Sequence, residues 1–226
     1  MSHLSRFSFL RLAALLPLGL VAGLAVVLSN GCRRSADTAT ASTIPTEAKP
    51  AAAPAAGPQS SGGLHAVLET DKGAIEIEFL ATDAPKAVEN FRLLAERGYY
   101  NGLTFHRIVK GFMLQGGDPL GNGRGGESAW GGVFADEIQR NSPLYKGGYK
   151  RGLLAMANMG PNTNASQFFI MHQDYPLPPV YVIFGKVIRG LEVVDALADT
   201  PTTRGNDGGM SKPVTPPVIR KVTIKP

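Results

Sequence analysis

Short strands with many glycines are predicted to fill residues 103–187, and they restrict what residues 64–226 can fold into. His65–Thr70 and Ala74–Phe79 are separated by three residues that end in Gly73, so they predict a β-hairpin. A later alternating segment, Val218–Ile224, predicts a closing strand. Many short strands with few helices indicate a β-barrel or a β-sandwich, and the pattern alone does not choose between them.

Two segments have the apolar spacing of helices. The first is predicted to begin at Asp83 as the N-cap, with Pro85 in its first turn, and to end at Gly98. Leu191–Ala198 predicts a second or third short helix. The apolar stripe of the first helix is predicted to consist of Val88, Phe91, Leu94 and Ala95.

Residues 1–31 have the pattern of a secretory signal. Arg6 and Arg11 precede an apolar run from Leu12 to Leu28, which together form a charged region followed by a hydrophobic region. A membrane-spanning helix needs about 20 apolar residues. The run is shorter than that, so an uncleaved anchor stays open as the alternative to a cleaved signal.

Cys32 is the only cysteine, and it closely follows the apolar run. A small residue, Gly31, precedes it, which resembles the bacterial lipobox, although Ser29 stands where leucine is usual. In that motif the cysteine is lipidated and becomes the new N-terminus; an incidental thiol is the alternative. We therefore expect export and lipid anchoring in a bacterial cell envelope, facing the periplasm or the exterior. A single cysteine excludes an internal disulfide and a zinc site built on cysteines.

Residues 32–63 are rich in alanine, proline, threonine and serine and contain few large apolar side chains. A segment of this composition cannot bury a core and predicts a disordered tether. As a flexible coil it would span roughly 30 Å, which is enough to hold a folded domain of residues 64–226 away from a membrane.

The net charge of +5 does not indicate a nucleic-acid-binding protein. Of the 23 basic and 18 acidic residues, five basic and two acidic ones lie in residues 1–63. The remainder of the chain is therefore close to balanced, and its longest basic runs are pairs such as Lys150-Arg151. Nucleic-acid binding requires a concentrated basic surface, so we expect no nucleic-acid partner.

Residues 105–118 carry the clearest indication of function. They read Phe-His-Arg-Ile-Val-Lys-Gly-Phe-Met-Leu-Gln-Gly-Gly-Asp, which places Arg107 close to Phe112, Met113 and Gln115. A permanent cation beside an aromatic ring, a thioether and an amide suits a pocket that holds an apolar ring and polarises an amide. No nucleophile lies beside a base here, so this stretch does not indicate bond cleavage.

This stretch closely resembles the cyclophilin family of peptidyl-prolyl isomerases. The resemblance covers nearly all of residues 64–226, because three further blocks follow in the family's order. It implies a mainly β fold, namely a closed eight-stranded antiparallel barrel capped by two helices, with the substrate groove on its outer face. The blocks are Gly123–Ser128 continuing to Glu137, Gly152–Asn158 continuing to Ile170, and Phe184–Val187.

By this resemblance, Arg107 is the catalytic residue. Phe112, Met113 and Phe169 match the side chains that hold the proline ring, and Leu177 is a fourth. Taken singly, such apolar residues more often belong to a core. Their occurrence together with Arg107 favours a pocket.

The resemblance also implies contacts to the substrate backbone. Gln115 matches the amide that contacts the peptide and helps to orient the arginine, and Ala157 and Asn158 match the strand that hydrogen-bonds the peptide. His106 matches the family's histidine before the arginine. Tyr181 stands where cyclophilins often have histidine or an aromatic residue.

The expected function is therefore peptidyl-prolyl cis–trans isomerisation in folding proteins, without a cofactor and without a metal. The expected partners are proline-containing polypeptides and, through the N-terminal lipid or an uncleaved anchor, a membrane; the chain is expected to be a monomer. A non-catalytic proline-peptide-binding or chaperone module of the cell envelope is the alternative. A purely structural envelope lipoprotein is a third hypothesis.

Overall fold

The computed structural model describes residues 63–226, so the predicted signal, the lipidation site at Cys32 and all but the last residue of the predicted tether lie outside the described residues. In the described part, ten strands and three helices follow one another along the chain. They are β1 (His65–Thr70), β2 (Gly73–Phe79), α1 (Pro85–Glu96), β3 (Arg107–Val109), β4 (Met113–Gly116), α2 (Pro143–Lys146), β5 (Leu153–Met156), β6 (Phe168–Met171), β7 (Ile183–Arg189), α3 (Leu191–Ala198), β8 (Thr202–Arg204), β9 (Met210–Pro213) and β10 (Ile219–Lys225). The predicted hairpin, both predicted helices and the final strand are confirmed.

Eight of the strands form one curled antiparallel sheet, in the order β10-β1-β2-β7-β5-β6-β4-β3, while β8 and β9 form a separate hairpin. The predicted closed barrel is not confirmed, because β10 and β3 remain the two edges of an open sheet. The segment of residues 102–105, before β3, hydrogen-bonds to residues 217–219 at the start of β10, but β3 itself does not pair with β10. β3 is three residues long, which leaves too little backbone for a continuous ladder between the edges.

Helix α1 begins differently from the prediction. Its N-cap is Ala84 rather than Asp83, and no side chain of the cap position accepts a hydrogen bond. The carboxylate of Glu137, from a distant loop, accepts the N–H groups of Lys86 at 3.0 Å and Ala87 at 2.9 Å. A carboxylate at this end satisfies donors that have no partner within the helix and complements the helix dipole. The predicted apolar stripe is confirmed as buried.

The three helices differ in size and in what they cover. α1 packs against β10 and β7, and α3 packs against β2, β3 and β4. The prediction of two helices missed α2, which is a single turn capped by the hydroxyl of Ser142. α3 begins directly after Gly190, where φ is +87° and an added Cβ would overlap the carbonyl oxygen of Ala74. Glycine is therefore required at that position.

Strand β6 shows why the molecule has two apolar clusters. All four of its residues are buried, because both faces of this part of the sheet are covered. Successive strand residues point to opposite faces. Phe168 and Ile170 accordingly join the main core beneath α1, whereas Phe169 and Met171 join a second cluster on the outer face. The outer cluster forms the floor of the candidate site.

Candidate active site

The register of β3, β4, β6 and β5 aligns four residues in a row across the outer face of the sheet. Arg107 lies opposite Gln115, Gln115 lies opposite Phe169, and Phe169 lies opposite Ala155. Residues directly opposite one another on paired strands share a face of the sheet. The row therefore brings a cation, an amide and an aromatic ring together.

Arg107 is half-buried and is held from two sides. Its Nε donates to Oδ2 of Asp207 at 2.8 Å, and its Nη1 lies 3.6 Å from the sulfur of Met113. Within residues 63–226, Nη2 forms no hydrogen bond, so this end of the guanidinium can still donate to an incoming acceptor. Arg107 therefore contacts the predicted apolar residues through the sulfur of Met113.

Asp207 lies in the turn between β8 and β9, and the sequence prediction missed it. Its other carboxylate oxygen, Oδ1, accepts from the hydroxyl of Ser211 at 2.6 Å and from the N–H of Gly209 at 3.1 Å. The Ser211 hydroxyl and the Arg107 guanidinium lower the pKa of Asp207 to about 2. The carboxylate is therefore ionised at any physiological pH and provides a permanent partner for the arginine.

Gln115 is positioned by a second glutamine that the sequence prediction also missed. The Nε2 of Gln115 donates to Oε1 of Gln167 at 2.9 Å, and the Nε2 of Gln167 donates to the carbonyl of Gly125 at 2.8 Å. In this chain of amides, Gln115 uses its Nε2 as a donor. Its side-chain oxygen therefore remains free to accept a hydrogen bond. Gln167 directly precedes Phe168 in β6, but nothing in the local pattern identifies it as a partner of β4.

The apolar part of the site is built around Met113 and Phe169. The ring of Phe169 meets Tyr181 edge-on, with centroids 5.4 Å apart. Phe112 packs against Tyr175 with centroids 4.3 Å apart. Leu177 and Ala157 also pack against this cluster. The structure thus brings together all four predicted proline-pocket residues and adds Tyr175 to them.

Two buried tyrosines hold Tyr181 in place. The hydroxyl of Tyr149 donates to the carbonyl of Tyr181 at 2.8 Å and accepts the N–H of the same residue at 3.1 Å. The hydroxyl of Tyr145 accepts the N–H of Ile183 at 3.0 Å. Burial raises the pKa of Tyr145 and raises that of Tyr149 to about 12. Both hydroxyls therefore stay protonated and keep the backbone beside Phe169 fixed.

Ala157 and Asn158 lie at the end of β5, on the other side of Gln115 from Arg107. The N–H of Ala157 donates to the carbonyl of Gln167 at 3.0 Å, and the side-chain amide of Asn158 donates to the carbonyl of Val180 at 2.9 Å. Both residues line a small pocket of about 90 Å³ that also reaches Gln115. The structure therefore places Ala157 and Asn158 beside Gln115.

His106 has an environment different from that of its neighbour Arg107. Its side chain is buried, and neither ring nitrogen has a hydrogen-bond partner within the described residues. Burial lowers the pKa of His106, and the nearby Asp118 opposes that shift only in part. The ring lines a polar pocket of about 400 Å³ beside Arg107 rather than the apolar cluster.

Within residues 63–226, no group of three or more His, Cys, Asp or Glu side chains is arranged to hold a metal ion. The described helices include none that is long and apolar enough to cross a membrane.

Comparison with known proteins decides the family. The family model "Cyclophilin type peptidyl-prolyl cis-trans isomerase/CLD" matches residues 65–224. The chain belongs to the cyclophilin family. Its relatives include a peptidyl-prolyl cis-trans isomerase of Arabidopsis thaliana, which is 47% identical over 71% of this chain and 96% of the relative. The human peptidyl-prolyl cis-trans isomerase-like 3 is 50% identical over 61% of this chain and 84% of the relative.

Solved cyclophilin structures agree with this membership. A cyclophilin-type peptidyl-prolyl cis-trans isomerase of Cryptosporidium parvum is similar, with a TM-score of 0.65 and 40% identity, over 72% of this chain and 97% of that one. The same protein crystallised in the presence of the dipeptide Ala-Pro gives a TM-score of 0.64 and 39% identity, over 72% of this chain and 99% of that one.

Membership in the cyclophilin family does not by itself identify Asp207, Gln167 or the two tyrosines. They lie outside the stretch of residues 105–118, and each acts on the site through a partner far away in sequence. Asp207 in Gly205-Asn-Asp-Gly-Gly209 reads as an ordinary turn residue. Its contact with Arg107 connects it to the candidate site of this cyclophilin.

Proposed function

We propose that this chain is a peptidyl-prolyl cis–trans isomerase that accelerates rotation about X-Pro bonds in folding proteins, as a monomer and without a cofactor. Membership in the cyclophilin family and the similarity to a protein crystallised with Ala-Pro support this reaction. The observation that carries the mechanism is the row of Arg107, Gln115 and Phe169 across one face of the sheet, with Met113 beside it.

The barrier to this rotation is the loss of amide resonance, about 18–20 kcal/mol. Uncatalysed isomerisation therefore takes tens to hundreds of seconds. In the twisted state the prolyl nitrogen becomes pyramidal and carries a free lone pair. A donor that binds this nitrogen favours the twisted state over either planar isomer, which is how differential binding accelerates a reaction. No covalent intermediate and no proton transfer is needed.

Arg107 is suited to this role because its guanidinium is always charged and carries five N–H donors in a fixed plane. Asp207 binds Nε and the Met113 sulfur contacts Nη1, so Nη2 is left to donate to the substrate. The apolar residues Met113, Phe112 and Phe169 hold the pyrrolidine ring by excluding water from it. Gln115 contacts the peptide backbone beside the ring, while Ala157 and Asn158 bind the adjoining peptide.

The test is an NMR exchange assay on proline peptides with the Arg107→Ala and Arg107→Lys variants. We expect Arg107→Ala to lower kcat/KM by about a hundredfold, the scale of removing one preorganised donor. Arg107→Lys keeps the charge without the planar fork and should recover only part of the rate. The matched control is Arg140→Ala, since Arg140 is exposed and takes no part in the site contacts described above.

Two outcomes would contradict the proposal. Full activity in Arg107→Ala would remove Arg107 from the mechanism. A wild-type protein that binds proline peptides without accelerating their exchange would favour the alternative, a non-catalytic peptide-binding or chaperone module that uses the same groove.

We further propose that the protein is bacterial, exported and anchored to an envelope membrane through a lipid on Cys32. The charged and apolar pattern of residues 1–31 and the position of Cys32 directly after Gly31 support this location. The intact mass of the membrane-extracted protein tests it, because cleavage before Cys32 with acylation changes the mass in a defined way. A full-length, unmodified chain would contradict the proposal, and the Cys32→Ala variant should fail to gain the lipid.

A further inference from the structure

A polar pocket of about 400 Å³ lies directly beside the catalytic arginine. The loop of residues 121–124 forms one wall, and the β8–β9 turn with the start of β9 forms the other. Arg107 and Gln115 belong to both the pocket and the isomerase site. A peptide bound across Arg107 would therefore place one of its neighbouring side chains over this pocket.

The pocket is positively charged. Among the residues that line it, Arg107, Arg124 and Lys212 are cationic, and Asp207 is the only carboxylate. Asp207 is already satisfied by Arg107, Ser211 and the Gly209 N–H. Within residues 63–226, neither Arg124 nor Lys212 takes part in a salt bridge, so two cationic charges are left unbalanced.

Of the other ionisable groups nearby, Asp118 carries one further negative charge but does not line the pocket. Asp118 lies beneath the loop, is 1% exposed, and accepts the N–H groups of Leu120, Asn122 and Gly123. His106 forms part of the wall but is buried. The remaining polar side chains that line the pocket are the amides of Asn122 and Asn206 and the hydroxyl of Ser211.

We propose that this pocket binds an acidic side chain of the substrate that flanks the isomerised proline. The proposal rests on the proposed isomerase function and adds a preference for substrates with glutamate or aspartate near the proline. A carboxylate here is attracted by Arg124 and Lys212, and the side-chain amides can donate hydrogen bonds to it.

The position of Arg124 strengthens this assignment. It lines the larger pocket and also the smaller pocket of about 90 Å³ near Asn158. Gln115 likewise borders both pockets. A peptide lying over Gln115 therefore passes Arg124 on its way between Arg107 and Asn158, which keeps this cation within reach of side chains close to the proline.

The experiment compares peptides that carry one glutamate, placed in turn at each of three positions before and three after the proline, with peptides that carry glutamine there. Glutamine matches glutamate in size and lacks the charge. NMR exchange gives kcat/KM for each. At one or two positions, we expect kcat/KM for the glutamate peptide to exceed that for the glutamine peptide by about three- to tenfold. This is the effect expected from two solvent-exposed ion pairs. The preference should shrink as salt is added.

The double variant Arg124→Glu/Lys212→Glu should abolish or reverse the preference. The readout is the ratio of kcat/KM for the glutamate and glutamine peptides within each protein, because Arg124 also borders the groove and its replacement changes kcat/KM for both peptides. Lys72→Glu is the control: it replaces one cation by a carboxylate in the β1–β2 turn, half of the charge change in the double variant, and should keep the preference. Thermal unfolding of all three proteins shows that each is folded.

The outcomes separate the two proposals. If the glutamine peptides are not isomerised at all, the proposed function itself fails and this inference fails with it. If they are isomerised but glutamate gives no advantage at any position, the acidic subsite is wrong. A glutamate preference that survives unchanged in the double variant would also overturn it, because the preference would then arise elsewhere.

Discussion

At the scale of single residues, the ion pair between Arg107 and Asp207 orients the side chain that we propose to be catalytic. Asp207 holds Nε at 2.8 Å and is itself held by Ser211 and Gly209. Both partners are about one-third exposed, so the pair adds little to global stability. Its main effect is on the orientation of the guanidinium.

We predict that Asp207→Ala lowers kcat by about fivefold to tenfold while the unfolding midpoint changes little, since a partly exposed pair contributes about 0.2–1 kcal/mol. Peptide exchange kinetics and thermal unfolding measure the two effects separately. Asp71→Ala, in the β1–β2 turn, is the control for loss of an exposed carboxylate. An unchanged kcat in Asp207→Ala would show that Arg107 is oriented without its partner.

His106 should make stability depend on pH. Burial lowers its pKa in the folded protein, so the unfolded chain binds a proton more readily. Its contribution to stability is therefore fully present above the unfolded value near 6.5 and is lost as the pH falls from there towards the folded pKa. We expect the urea midpoint to fall over this range and His106→Phe to flatten that fall. An identical pH profile in the variant would exclude His106 as the cause.

At the scale of secondary-structure elements, the start of α1 depends on a residue outside the helix. Glu137 accepts two N–H groups of the first turn, whereas Asp83 accepts none of them. We predict that Glu137→Ala lowers the free energy of unfolding by about 1 kcal/mol, the usual cost of a lost helix cap. Asp83→Ala should lower the free energy of unfolding much less. Urea titrations of both variants measure the difference, and equal losses would refute this assignment.

The β8–β9 hairpin carries Asp207 to the site, and its turn has little free space at Gly205. A Cβ added there would overlap the Ser211 hydroxyl and approach Oδ1 of Asp207 to 3.0 Å. We predict that Gly205→Ala displaces both side chains and lowers kcat severalfold. Gly209→Ala is the matched control, because its Cβ would meet only Oδ1 of Asp207, at an ordinary 3.7 Å. Equal activity of the two variants would contradict this view of the turn.

The element scale also shows what local patterns can predict. The apolar spacing of α1 and α3 and the alternation in β2 depend on residues a few positions apart, so the sequence predicts these elements well. The four consecutive apolar residues of β6 indicate a strand covered on both faces, but they cannot tell which face holds the core. Its pairing with β4 and β5 assigns Phe168 to the core and Phe169 to the site.

At the scale of the whole molecule, both apolar clusters and the whole candidate site lie within residues 63–226. We therefore predict that this fragment folds on its own, unfolds cooperatively and isomerises model peptides at the rate of the full chain. Circular dichroism during thermal unfolding and peptide exchange provide the measurements. A fragment that stays unfolded, or that folds and loses activity, would show that residues 1–62 contribute to the domain.

The sequence by itself determined which residues could perform the chemistry. Arg107, Phe112, Met113 and Gln115 lie within nine residues, and their types alone indicate a cation beside an apolar pocket. The tertiary structure decided what surrounds them: the open sheet, the partner Asp207 one hundred residues further on, and the cationic pocket between two distant loops. Local spacing is set by the backbone geometry of neighbouring residues, whereas register and long-range ion pairs depend on how separate strands and loops pack together.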